Sequence, residues 1–482
     1  MTGLFLLFSN GLFTIAATPS AKEAPMKKFD IDTLNNWDQS HSWHPFTQMQ
    51  EYLEKNPLHI THAKGCWLYD NEGRRYLDGN GSNWTNVHGH SNPELNEALI
   101  EQLQNLQQSS YKDLSHPAAS ELCHELASIA PKGLSRSFFT DNGASSVEAA
   151  LKMSFQYWQL TGHPQKKLII GMEGGYHGDT FGAMSAGKSS FHNRFSEWFL
   201  PAHHFKAPQQ DDMSESLHDL DRLLETYGDQ TAILFLEPSV QGPNGMQLQP
   251  PGFLQAVAER CKKHNVHLAL DEIFVGLGRL GHMLVSTAEN ITPDFLCLSK
   301  TLTGGYLPLA VTLTTQKIYE AFLGDFSEGK TFFHGHTFAA NPLATAVSIK
   351  SIQKLKQRIE SGELQRTCDF FADRIQSHFA SHPFVKSIRQ RGLACAIELF
   401  PGDQSTAESF DPTDRVAHHV SLHLRDKEVL LRGVGNALMI VPPLCISDNE
   451  IEFLCKQTAL AISEYLHEFL IGKFRNPLSV AI

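Results

Sequence analysis

The stretch Val266–Gly305 (VHLALDEIFVGLGRLGHMLVSTAENITPDFLCLSKTLTGG) constrains the fold more than any other part of the chain. Two apolar runs, Val266–Leu270 and Phe295–Leu298, read as buried strands, and each leads into one ionisable group, Asp271 and Lys300. The chain between them is long enough for a crossover, the connection that makes neighbouring strands parallel. Both groups then emerge at the carboxyl ends of strands, which is the ligand-binding edge of an open α/β sheet.

Desolvating a carboxylate and an amine costs several kcal/mol per charge, so both need a reason to be there. Pyridoxal 5′-phosphate gives a reason for each. A lysine amine condenses with its aldehyde, and a carboxylate pairs with its protonated ring nitrogen so that the ring can take up electrons. An ordinary ion pair between strand ends is the alternative, and these two residues alone do not choose between them.

The other motifs carry that choice. In Ser137–Trp158 (SFFTDNGASSVEAALKMSFQYW) a strand ends at Thr140, and a helix begins near Ser146 with apolar residues at Val147, Leu151, Phe155 and Trp158. The turn between them, including Gly143 and Ala144, leaves backbone N–H groups at a helix start, a cradle for phosphate or a plain capping turn. Gly174–Met184 (GGYHGDTFGAM) puts Tyr176 in a glycine-rich loop after the strand Lys167–Gly171, where its ring could stack on a planar ligand or pack at the surface. Ala232–Leu236 is a further strand, ending at Glu237, and Pro250–Lys263 reads as the helix crossing to the Asp271 strand. This alternation predicts an α/β fold with a mostly parallel sheet.

Toward the ends the pattern changes. Cys66–Asp78 reads as a β-hairpin turning at Asn71–Gly73, followed by a glycine-rich loop over Gly79–Gly89 and a helix over Asn92–Leu106. Past Phe332–Ala346 (FFHGHTFAANPLATA), long amphipathic helices and a smaller α+β portion complete the chain. No HExxH or Cys/His ligand spacing occurs, so the 25 histidines point to no metal.

Composition narrows the class. The 482 residues are 41% hydrophobic, enough for a substantial core, and acidic residues exceed basic ones by 52 to 40 for a net charge of −12. No basic block is present, so neither nucleic acid nor an anionic membrane is expected as a partner. The eight cysteines (Cys66, Cys123, Cys261, Cys297, Cys368, Cys395, Cys445 and Cys455) form no CxxC pair and read as reduced, which fits the cytoplasm. Leu4–Ala17 is apolar but lacks a basic n-region and is interrupted at Ser9 and Asn10. We read residues 1–29 as a disordered extension, with an export signal as the alternative.

Taken together, DNGASSVEAALKM, GYHGDTFGAM, FLEP, LALDEIFVGLGRLG, PDFLCLSKTLTGG and HGHTFAANPLA resemble, in order and separation, the class III, or ω-amino acid, aminotransferases. The resemblance runs from about Asp30 to the end. It implies the pyridoxal-phosphate transferase fold type I, with a large domain on a mostly parallel sheet (85–345). A smaller α+β domain would be built from both chain ends (30–84 and 346–482). It implies that Lys300 carries the cofactor, that Asp271 pairs with its ring nitrogen, and that Ile273 and Tyr176 lie at its two faces. Gly143 and Ala144 would hold the phosphate, joined by His336 and Thr337, with Thr337 serving the cofactor of a neighbouring subunit in a homodimer. Arg432 would hold the substrate carboxylate in a pocket lined by Phe46, Asn83, Trp84, Tyr176 and Gly335.

Within the class, WHPFTQM, QYWQ, GYHGDTFGAMS and LCLSKTLTGG are most similar to the biotin-pathway members. Those members aminate 8-amino-7-oxononanoate, a small-molecule acceptor, with S-adenosylmethionine or, in some members, lysine as donor. Another ω-aminotransferase acting on a diamine or a β- or ω-amino acid is the alternative. Glutamate-using relatives carry Gln where this chain has Phe274 and Arg where it has Met439. A buried apolar side chain cannot pair a carboxylate, so glutamate is a poor candidate donor. Phe46 and Met439 stand where some members have tyrosine, and Asn83 where some have tryptophan.

Overall fold

The computed structural model describes residues 30–402 and 409–475, and the extension expected over residues 1–29 lies outside them. Residues up to Ile60 form one compact unit and those from Thr61 onward a second. In the first, the helix Ile31–His41 is capped by the Asp30 carboxylate, which accepts the Thr33 N–H. Asp38 accepts hydrogen bonds from His44 and Tyr52.

The second unit is built on a seven-stranded sheet. In spatial order its strands are Leu134–Thr140, Ala310–Thr315, Phe295–Leu298, His267–Asp271, Thr231–Leu236, Leu168–Met172 and Ala202–Phe205. Only Ala310–Thr315 runs against the others. The two apolar runs of the Asp271–Lys300 stretch are parallel neighbours, with Ala269 opposite Phe295 and Asp271 opposite Cys297. Their side chains are buried throughout, as strands covered on both faces require.

Two elements begin elsewhere than periodicity placed them. The helix expected from Ser146 starts at Gly143, because the Asn142 side chain accepts the Ser145 N–H and closes the first turn there. The crossover helix expected from Pro250 starts at Phe253, after Gly252 at φ +81°. The glycine-rich loop after the hairpin contains a left-handed turn, with Gly81, Ser82, Asn83 and Trp84 all at positive φ. Such a turn costs roughly 1–2 kcal/mol per non-glycine residue. The Asp78 carboxylate offsets part of this by accepting the Ser82 N–H at 3.0 Å and its hydroxyl at 2.8 Å.

Chain ends meet in this unit. The hairpin strand Arg75–Asp78 pairs in parallel with Val429–Leu430. A second antiparallel sheet orders Val385–Arg391, Ala394–Leu399, Ala437–Ile440 and Arg432–Val434. Arg279 pins that sheet to the large one. It is fully buried, and its Nη1 donates to the carbonyls of Leu393 at 3.2 Å and Pro442 at 2.6 Å. All eight cysteines are free. Among the described residues no helix is long and apolar enough to cross a membrane, and no cluster of three or more His, Cys, Asp or Glu is placed to hold a metal ion.

Gly171 marks where the sheet tolerates no side chain, since a Cβ there would fall 1.8 Å from the Ala186 carbonyl oxygen. Gly171→Ala is expected to destabilise the protein by about 1–3 kcal/mol, read as a lower urea midpoint at unchanged slope.

Candidate active site

Three adjacent parallel strands end side by side and deliver Glu237, Asp271 and Lys300 to one edge. The strands Leu134–Thr140 and Leu168–Met172 bring Asn142–Ala144 and Tyr176–Asp179 to the same edge. Together these residues line a cavity of about 650 Å³. That is the size of a small-molecule site, at the sheet edge where such folds bind ligands.

Asp271 is buried, yet its two oxygens are both held: Oδ2 by His177 Nδ1 at 2.8 Å and Oδ1 by the Ile273 N–H at 3.0 Å. Because a carboxylate only accepts, His177 presents Nδ1–H, and the two hydrogen bonds fix the orientation of the carboxylate. Lys300 opens the turn after the neighbouring strand with left-handed backbone, φ +45°. A non-glycine residue held there stores strain of about 1–3 kcal/mol, the kind that collects at functional sites. Burial pushes its ammonium below the usual lysine value, while the carboxylates of Asp271 and Glu237 act against that shift. Its Nζ faces the rings of Trp84 at 5.3 Å and Phe274 at 5.7 Å. The amine is therefore placed to react rather than to pair.

Glu237 stands beside this couple. Its oxygens accept the N–H groups of Tyr176 and Gly242, both at 3.0 Å, and burial raises its carboxyl to about 7. Glu237 thus sets the backbone of the Tyr176 loop. Neither Glu237 nor His177 stands out in the sequence as a site residue. The position of Glu237 at a strand end was the available signal, but only the strand order makes that end adjacent to Asp271.

The cradle expected at Gly143 and Ala144 is formed at the start of the Gly143–Leu160 helix. Asn142 caps through Ser145, which leaves the N–H groups of Gly143 and Ala144 outside that cap. Close packing explains the small residues. A Cβ on Gly143 would meet Ile273 Cδ1 at 2.9 Å, and one on Gly178 would meet Ala144 Cβ at 2.3 Å. Nearby, His336 Nδ1 bonds Asp141 Oδ2 at 2.9 Å, and Asp141 Oδ1 has no hydrogen-bond partner among the described residues.

The remaining candidates divide. Asn83 lines the cavity and accepts from Arg432 Nη1 at 3.3 Å, while the Trp84 ring packs 4.6 Å from Phe274. Arg432 lies on a short strand in register with Met439, which is fully buried. Gly335 and Thr337 are exposed and do not line the cavity of their own chain. Phe46 is exposed, at φ +52°, in the unit formed by the residues up to Ile60.

The residues present fit pyridoxal 5′-phosphate. A half-buried amine on the cavity wall has no bonded carboxylate among the described residues, a buried carboxylate is held at both oxygens by donors, and a helix start has no room for larger side chains. These supply, respectively, partners for the aldehyde, the ring nitrogen and the phosphate.

Comparison with known proteins agrees with this geometry. The class-III aminotransferase family model matches residues 49–462. The chain is 42% identical over 441 residues to the adenosylmethionine-8-amino-7-oxononanoate aminotransferase of Geobacter sulfurreducens, covering 89% of this chain and 97% of that one. It is 36% identical over 451 residues to the enzyme of the same name from Aquifex aeolicus, covering 91% and 99%. The crystal structure of adenosylmethionine-8-amino-7-oxononanoate aminotransferase from Methanocaldococcus jannaschii superposes with a TM-score of 0.87 at 36% identity, over 90% of this chain and 99% of that one. A transaminase from the marine bacterium Virgibacillus superposes at 0.84 with 28% identity, over 91% and 100%. The chain belongs to the class-III aminotransferases, enzymes that depend on pyridoxal 5′-phosphate.

Proposed function

We propose that this aminotransferase converts 8-amino-7-oxononanoate to 7,8-diaminononanoate in biotin synthesis, with S-adenosylmethionine or lysine as amino donor. The observation that carries the reading is the pairing of the Lys300–Asp271 couple with a binding wall that has lost the glutamate-recognition positions. Phe274 lines the cavity as an apolar ring and Met439 is wholly buried, so neither position offers a cation to a donor carboxylate. The names of the relatives support the same acceptor.

When bound, the cofactor supplies an aldehyde that condenses with amines and a ring that takes up electrons from the neighbouring carbon. In this reading Lys300 holds it, Asp271 pairs with its ring nitrogen, Ile273 and Tyr176 flank its faces, and Gly143 and Ala144 hold its phosphate. His177 holds the Asp271 carboxylate correctly turned for that pairing. Lys300, its ammonium destabilised by burial, takes a proton from the donor carbon and returns it across the site as general base and acid. Arg432 pairs with the far carboxylate of the acceptor, and Asn83 holds the guanidinium in place. Trp84 and Phe274 keep water from the reacting amine.

The exposed loop carrying Gly335, His336 and Thr337 is assigned to a homodimer, in which Thr337 serves the cofactor of the other subunit. We assign the enzyme to the cytoplasm, with residues 85–345 as the cofactor-binding part and residues 30–84 and 346–482 as the smaller one.

Three outcomes are expected. Lys300→Ala abolishes turnover, with a loss of at least about 10³-fold, while the urea midpoint stays near wild type, since alanine keeps a Cβ and so the same positive-φ backbone. Arg432→Met raises KM for 8-amino-7-oxononanoate by about 10- to 150-fold, the loss of one charge-assisted hydrogen-bonded pair of about 1.5–3 kcal/mol. Titrating the cofactor-loaded protein with S-adenosylmethionine, lysine and glutamate bleaches the visible band with one of the first two, and 8-amino-7-oxononanoate restores it. Bleaching by glutamate alone would overturn the argument from Phe274 and Met439.

A further inference from the structure

His192 is outside the cavity wall, but it is joined to two residues that form the wall. Asp179 and Tyr176 both line the cavity. The Tyr176 hydroxyl donates to Asp179 Oδ2 at 3.0 Å, and His192 Nε2 lies 2.8 Å from Asp179 Oδ1. The imidazole also stacks on the Tyr176 ring, with centroids 5.6 Å apart and planes 26° from parallel. His192 is only 4% exposed, whereas the Asp179 side chain is about half exposed. A buried ring thus holds an open carboxylate.

The tautomer follows from the partners. A carboxylate only accepts, so Nε2 carries the hydrogen. Nδ1 is buried and has no hydrogen-bond partner among the described residues.

We propose that His192 is a positioning residue: as a fixed Nε2–H donor it orients the Asp179 carboxylate and, through it, the Tyr176 hydroxyl against the substrate in the cavity. His192 touches no reacting atom. It removes the freedom of a half-exposed carboxylate to rotate away from Tyr176 or to be protonated. The inference rests on the aminotransferase reading of the cavity, in which the acceptor carries an amine beside its ketone. The His192 hydrogen bond, ahead of the opposing effect of burial, also holds the Asp179 carboxyl below the usual carboxylate range.

The test compares His192→Phe, which keeps a stacking ring and removes the donor, with His192→Gln, which keeps a neutral N–H donor. Both are assayed as cofactor-loaded enzyme. For His192→Phe, KM for 8-amino-7-oxononanoate is expected to rise about 10-fold with kcat within about threefold, an effect of about 1.4 kcal/mol. The acidic limb of kcat/KM should move to higher pH, because a freed Asp179 protonates more easily. His192→Gln should recover most of both effects, and the dissociation constant for pyridoxal 5′-phosphate should be unchanged in either. Tyr176 and His192 face Asp179 directly, while the other ionisable groups of the site, Glu237, Asp271, Lys300 and Arg432, are identical in the two variants. The difference between the variants therefore reports Asp179.

His192→Phe behaving as wild type would overturn the proposal, as would His192→Gln being as impaired as His192→Phe, which would reduce His192 to packing. If the wild-type enzyme aminates a different oxo acid instead, the biotin-pathway reading falls. The same two variants assayed on that acceptor still decide the role of His192.

Discussion

The structure depends on one electrostatic arrangement: an amine and a carboxylate held out of water at the ends of neighbouring parallel strands. Each charge alone would cost several kcal/mol to bury. The protein meets the cost of Asp271 with two hydrogen-bond donors, His177 and the Ile273 N–H. It leaves Lys300 without such compensation, in a left-handed backbone position, so the amine is weakened as a cation and kept available. That asymmetry separates a reactive pair from a structural ion pair. It is the physical reason to read the couple as cofactor chemistry.

The rest of the site is support for that couple. Glu237 ties the Tyr176 loop to the adjacent strand through backbone N–H groups, and His177, one residue further along the loop, braces Asp271. Arg279 fixes the second sheet to the first by bonding two carbonyls. That second sheet carries Arg432, so the placement of its guanidinium relative to Lys300 is set partly by a buried hydrogen-bonded cation.

Much of this was legible in the chain. The apolar runs before Asp271 and Lys300, each bounded by loop residues, specify buried strands. Their connection specifies that they are parallel, so the two functional groups could be brought together from sequence alone. The turn DNGAS likewise announced a helix start, although its first residue moved to Gly143 because the Asn142 cap acts locally on Ser145. Local chemistry of this kind, in which residue type and short-range spacing decide the outcome, is what one sequence determines well.

Tertiary structure alone decided which separate segments became neighbours. The roles of His177 and Glu237 depend on the order of strands in the sheet, which periodicity does not encode. The left-handed turn at Gly81–Trp84, including three non-glycine residues, is held partly by Asp78 and presents Asn83 to Arg432, 349 positions away. His192 reaches Asp179 from a segment that has no motif of its own. The sequence by itself determined the strands and the placement of Lys300 and Asp271 at their carboxyl ends, because those follow from hydrophobic runs and the residues that bound them. The fold decided their orientation, their hydrogen-bond partners and their desolvation, because those depend on distances that exist only after the sheets have packed.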